Sequence, residues 1–198
     1  MDEGRYRVLS AGEEGGLRLL DREGYDAITV AETGHDAAID GLRPGYLVDA
    51  TLSWASADPT VDSCSVIRPT LYEFVDGIDP VFEVAEETWR DAQASGDGMN
   101  SRVTKNTDGV VNGVVYVFAE DSAGTRFCEF QTGARPLEPL VDRVNEQDVD
   151  GPAPREVFVL RPPTEEFVIV VIAFEKGGRF AETIRDTYDR PRPSEPQG

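Results

Sequence analysis

The sequence predicts an α+β protein: a small N-terminal antiparallel β-barrel of the OB or SH3-like kind, followed by an α+β domain of helices packed on a mixed or antiparallel sheet. Three observations carry this. Short strand-like runs separated by turns at about 8–12-residue spacing fill the first part of the chain. From Asp79 the apolar period changes from two to three-or-four. Residues 167–174 are apolar on both faces, as a central strand must be. The boundaries expected are 1–77 for the barrel and 78–190 for the α+β domain, with a disordered tail over 191–198. A single sheet continuing through both halves stays open at this point.

In the first half, residues 5–9, 17–20 and 27–32 read as strands. They are separated by the turns Gly12-Glu13-Glu14-Gly15-Gly16 and Asp21-Arg22-Glu23-Gly24. In Gly41-Leu42-Arg43-Pro44-Gly45, Pro44 and Gly45 suit positions i+1 and i+2 of a type II turn. The next strand, 46–54, alternates: Tyr46, Val48, Ala50, Leu52 and Trp54 on one side, Asp49, Thr51 and Ser53 on the other. A fifth strand spans 61–75 and is interrupted at Arg68-Pro69. Pro69 has no N–H to give a ladder, so it marks a bulge, an edge or a switch between sheets.

In the second half, Phe82, Ala85, Trp89 and Ala92 are spaced three, four and three, the stripe of an amphipathic helix that stops at Ser95-Gly96-Asp97-Gly98. Residues 113–120 form an apolar strand. A Ser122-Ala123-Gly124 turn and a second strand over 126–131 are expected to follow. Pro136 starts a helix carrying Leu137, Leu140, Val141 and Val144. After the acidic loop 148–154 come a strand pair, 156–160 and 167–174, and then Gly177-Gly178 before a last helix with Phe180, Ile184 and Tyr188 on one side.

Composition speaks to environment more than to chemistry. The 198 residues hold 38 acidic side chains against 19 basic ones, a net charge of −19, and only Lys105 and Lys176 are lysines. Such a surface repels nucleic acid and anionic lipid at low ionic strength, and molar salt screens it. Scarce lysine beside abundant acid and arginine points to a halophilic, salt-accumulating archaeon. The start, Met1-Asp2-Glu3-Gly4-Arg5, has neither a basic nor an apolar leader region, and the longest apolar run is far below the roughly 20 residues of a spanning helix. A cytoplasmic protein with no membrane association is expected. Cys64 and Cys128 are expected as buried small hydrophobes and not as a disulfide.

Motifs for chemistry are few. His35 is the single histidine, and only Asp36 stands beside it. The sequence contains no nucleophile elbow, zinc-protease pair, phosphate-binding loop or Cys-x-x-Cys. Neither a catalytic residue, a metal nor a cofactor is therefore expected. Two segments stand above this background. Met99-Asn100-Ser101-Arg102-Val103-Thr104-Lys105-Asn106-Thr107 carries no acid and two cations, so Asn100, Arg102, Lys105 and Asn106 are candidates for binding a phosphate, a carboxylate or an RNA backbone. The plainer reading is a polar strand or loop bonded to its own backbone. Lys176, Gly177, Gly178 and Arg179 join a strand to a helix, where N–H groups at a helix start favour an anion. Glycine is also what a tight turn needs by itself. Trp54, Tyr72, Phe74 and Trp89 would stack bases on an exposed barrel face, or else pack the core.

The stretches 99–104, Asn112-Gly113-Val114-Val115-Tyr116-Val117-Phe118-Ala119-Glu120, Arg135-Pro136-Leu137-Glu138-Pro139-Leu140, and Glu175-Lys176-Gly177-Gly178 through Thr187-Tyr188 carry a resemblance. The chain resembles a haloarchaeal family of uncharacterised, domain-of-unknown-function proteins from about Arg5 to Pro193, most clearly after Trp89. That resemblance implies a halophilic cytoplasmic protein and no reaction. The functional expectation is a non-enzymatic binding or regulatory module acting on RNA or a ribonucleoprotein. The alternatives are an enzyme on a small anionic substrate, with Arg102 or Lys176 as anion clamps, and a protein–protein adaptor.

Overall fold

A computed structural model of the protein describes residues 2–11, 16–119, 123–146, 148, 152–164 and 166–194. The chain forms two compact units. One comprises Met1–Tyr72, Glu129–Leu137 and Pro193–Gly198, the other Glu73–Cys128 with Glu138–Arg192. The glycine-rich turn expected at 12–16 lies outside the described residues except for Gly16, as do residues 195–198 of the expected tail.

The first unit is built on strands β1 (Asp2–Leu9), β2 (Arg18–Asp21), β3 (Ala27–Thr29), β4 (Leu47–Ser53) and β5 (Thr60–Arg68), in the order β3-β2-β1-β4-β5. Every neighbouring pair is antiparallel. Alternation along β4 is as its pattern requires: Val48, Ala50 and Leu52 are buried and Asp49 is exposed. With Tyr6, Val8, Leu19 and Val61 they make one core. The turn before β4 is also as expected, with Tyr46 N–H donating to Arg43 O at 3.0 Å and Gly45 at φ 95°. No side chain fits at Gly45, because a Cβ there would lie 2.5 Å from Tyr72 N.

The barrel is overturned: the sheet is open. Among the described residues neither β3 nor β5 has a second strand beside it. Two physical causes act together. β3 is only three residues long, too short to close onto β5. The expected fifth strand, 61–75, divides at Pro69, and Leu71–Asp76 becomes β6 of the second sheet. Val30, Ala37, Ile39 and Leu42 instead cover the inner face. His35 fixes this cover, since Val61 N–H donates to its Nδ1 at 3.1 Å and its Nε2 donates to Ala31 O at 2.8 Å. The sole histidine is therefore a structural tie.

The second unit carries α1 (Glu83–Ser95), β7 (Met99–Lys105), β8 (Val111–Ala119), α3 (Glu138–Asn145), β9 (Glu156–Arg161), β10 (Phe167–Ala173) and α4 (Arg179–Thr187). The sheet order is β6-β9-β10-β8-β7, with β10 antiparallel to both β8 and β9, and β7 antiparallel to β8. β10 is central and fully buried, as its two-sided apolar run demands. Helix α1 ends where the sequence stops it, at Gly96 in the left-handed conformation with φ 72°. Trp89 stacks on Phe167 at 4.9 Å between centroids. The strand expected over 126–131 is instead part of helix α2 (Ala123–Thr132). Phe127 and Phe130 are both buried, and their three-residue spacing is helical. No described helix is long and apolar enough to cross a membrane. Both cysteines are free thiols. Cys64 is half-buried, with its thiol pKa raised by burial, and Cys128 is exposed, where burial was expected.

Candidate functional site

β7 is an edge strand with two unlike faces. Asn100, Arg102 and Thr104 are half-buried, whereas Met99, Ser101, Val103 and Lys105 are exposed. On the half-buried face the Arg102 guanidinium is bound to Glu87 and, at 2.7 Å, to Asp91, both on α1. The cation that leads the acid-free segment is thus neutralised by the protein's own helix. Asn100 Oδ1 accepts Ser101 N–H at 2.8 Å. Lys105 is exposed and has no ion pair among the described residues. Beyond it, Asn106 Oδ1 accepts the N–H groups of Asp108 at 3.0 Å and Val110 at 2.9 Å, which shapes the β7–β8 loop.

The Lys176-Gly177-Gly178-Arg179 turn does bind a carboxylate, and it is the chain's own. Gly177, at φ 74°, donates its N–H to Glu156 Oε1 at 2.8 Å. Glu156 heads β9 and is fully buried. Its Oε2 accepts from Arg185 Nε at 2.6 Å, and its Oε1 accepts from Arg192 at 2.8 and 3.0 Å. Arg192 also binds Glu182, while Arg185 reaches Glu73 at 3.4 Å and lies 5.2 Å from the Phe158 ring. Sequence reasoning missed this network. A lone Glu opening the apolar run Val157-Phe158-Val159-Leu160 was the only signal, and 38 acids drown it.

The structure brings part of the predicted set together. Asn106, Gly178 and Arg179 line one depression of about 190 Å³, along with Asp108, Asn112, Glu175 and Phe180. Arg179 is exposed and Lys176 half-buried. Arg102 lies outside this depression, on the α1 side of its strand. Phe180 is held close by Gly113, where a Cβ would lie 2.6 Å from the ring. Of the aromatics considered for stacking, Tyr72 is buried with the Arg7 guanidinium 5.4 Å from its ring centroid. Phe74 meets Phe127 edge-on at 6.0 Å, and Trp54 is exposed. Among the described residues no three His, Cys, Asp or Glu side chains gather into a metal-binding group.

No curated protein and no solved structure shows significant similarity to the chain. A family model does match, over residues 1–193. On that match the chain belongs to the family of unknown function DUF6663.

Proposed function

We propose that the protein is a non-enzymatic binding module of the cytoplasm of a salt-accumulating archaeon. It acts on another macromolecule through the face where the β7–β8 loop meets the β10–α4 turn. The observation that supports this is the disposition of the charges. Arg102 and the Gly177 N–H are taken by the protein's own carboxylates, while the exposed Arg179 lines a shallow depression with Asn106 and Asn112, whose side-chain oxygens are held by the protein itself. Charges satisfied among themselves hold a shape. Asp108 and Glu175 line the same depression as Arg179, so the face offers one cation and two carboxylates. That pattern suits a polypeptide better than a run of phosphates. The favoured partner is accordingly a protein, including the protein part of a ribonucleoprotein. Acid excess with two lysines supports the halophilic setting.

The test is capture from a native high-salt lysate with wild-type and Arg179→Glu chains, identifying RNA and protein separately, before and after ribonuclease. Wild type should retain protein that ribonuclease does not release and that Arg179→Glu loses by tenfold or more. Release by ribonuclease would favour bare RNA. Equal capture by both chains would move the site elsewhere.

A further inference from the structure

The open edge of β7 has a geometry that fits a second copy of itself. Ala119 N–H donates to Gly98 O at 2.9 Å, which sets the alternation of the β7–β8 ladder. Asn100, Arg102 and Thr104 turn their backbone groups toward β8. Met99, Ser101 and Val103 turn theirs outward. The Asn100 side chain capping Ser101 N–H agrees with this, because that donor has no strand partner among the described residues. The side chains of the outward residues share one exposed face, on which Met99 is 43% and Val103 53% exposed. A chain of net charge −19 repels its own copies almost everywhere, yet 99–107 carries no acid.

We propose that two copies of the protein pair antiparallel through β7, about a two-fold axis at Ser101, to make one continuous sheet. In that register Met99 of each copy faces Val103 of the other, twice. Ser101 faces its own mate. Lys105 lies across from Asp97, which precedes the strand and gives its N–H to Ala92 O at 3.0 Å, so these two meet through their side chains alone, again twice. Asp97 is exposed and, like Lys105, has no ion pair among the described residues. On the opposite face Arg102 faces Asn100. Shifting the axis to residue 102 would set Arg102 against itself and Met99 against Lys105, and like charges directly opposite destabilise a ladder. Self-pairing requires Asn100 Oδ1 to release Ser101 N–H, which then donates to the mate's Ser101 carbonyl. The carboxylates of α1 near this edge, Glu87 and Asp91, make the association salt-dependent. This surface is independent of the depression around Arg179.

Sedimentation of the full chain across a KCl and protein concentration series tests it. Wild type should pass from 21.7 kDa to twice that mass as KCl rises to molar concentration. Ser101→Pro removes an outward N–H that takes no part in the β8 ladder, so it should leave the fold intact and the protein monomeric. The register is tested at the lowest KCl at which wild type is dimeric. Lys105→Glu alone and Asp97→Lys alone should each weaken dimerisation about tenfold or more, since each replaces two attractions by two repulsions. An equimolar mixture of the two variants should restore the dimer as a mixed species. This arm carries the test even if Ser101→Pro fails to fold. A wild-type chain monomeric at every KCl concentration, a dimer that survives Ser101→Pro, or a mixture no better than its components would overturn the proposal.

Discussion

Replacing Glu156 by Gln tests whether the β10–α4 turn is held from inside by charge. The substitution keeps an acceptor for Gly177 N–H and removes the negative charge. Arg185, whose side chain is 3% exposed, then loses the fully buried Glu156 carboxylate as counter-ion. Breaking a buried pair by removing one partner costs about 3–5 kcal/mol. Glu73 still lies 3.4 Å from Arg185 and Glu182 still binds Arg192, so part of the charge stays compensated. The lower end, about 3 kcal/mol, is expected. The control is Glu182→Gln, which breaks an ion pair with a carboxylate side chain 44% exposed and should cost less than about 1 kcal/mol. Urea unfolding at constant high KCl can follow the emission of Trp89, stacked on Phe167, in a Trp54→Phe background. With a slope of about 2 kcal/mol per molar urea, Glu156→Gln should lower the midpoint by about 1.5 M and Glu182→Gln by less than about 0.5 M. Equal shifts would show that burial adds nothing to this network and would refute the reasoning.

Three further outcomes are expected. Raising KCl from about 0.1 to 2 M should raise the melting temperature, because screening relieves repulsion among 38 carboxylates; a flat or falling curve would contradict the halophilic reading. Burial pushes the Tyr188 phenol up to about 12 from 10.0, and its hydroxyl donates to Pro80 O at 2.9 Å. The folded state therefore holds this proton more tightly. The stability it contributes is full below about pH 10 and lost as pH rises through about 12, and urea midpoints across that window should fall in wild type and less in Tyr188→Phe. Gly45→Ala forces a side chain into φ 95° and against Tyr72 N, and should cost at least about 2 kcal/mol by thermal or urea unfolding. Gly109→Ala, at φ 79° in open space, should cost only about 1 kcal/mol.

What the sequence revealed depended on how local each cause was. The α1 stripe, the β4 alternation, the Pro44-Gly45 turn and the two-sided burial of β10 follow from neighbouring residues, and all can be read directly. α2 could not be read so easily, because six residues with Phe127, Cys128 and Phe130 suit a strand as well as one turn and a half of helix. Barrel closure depends on where β3 ends and where β6 goes, which are long-range matters that no window contains. Part of the candidate site was legible: Asn106, Gly178 and Arg179 do share a depression. One partner of Arg102 is Asp91, eleven residues away on a preceding helix, and Gly177 answers to Glu156, twenty-one residues before it. Neither pairing could be told apart from the background of a chain so rich in carboxylates.

The composition of the first unit has a consequence for synthesis on the ribosome. Its second segment, Glu129–Leu137, is made only after the whole of α1, β7 and β8. Leu137 follows Tyr72 by 65 residues, so at about 5–20 residues per second the unit waits roughly 3–13 s for this segment. That piece brings Phe130 and Leu137, both buried, and sets Gly133 against Leu9 and Leu20. Until it emerges, Leu9 and Leu20 have no cover from this segment, and a nascent chain stalled between residues 73 and 128 presents an apolar surface that a holding chaperone would recognise.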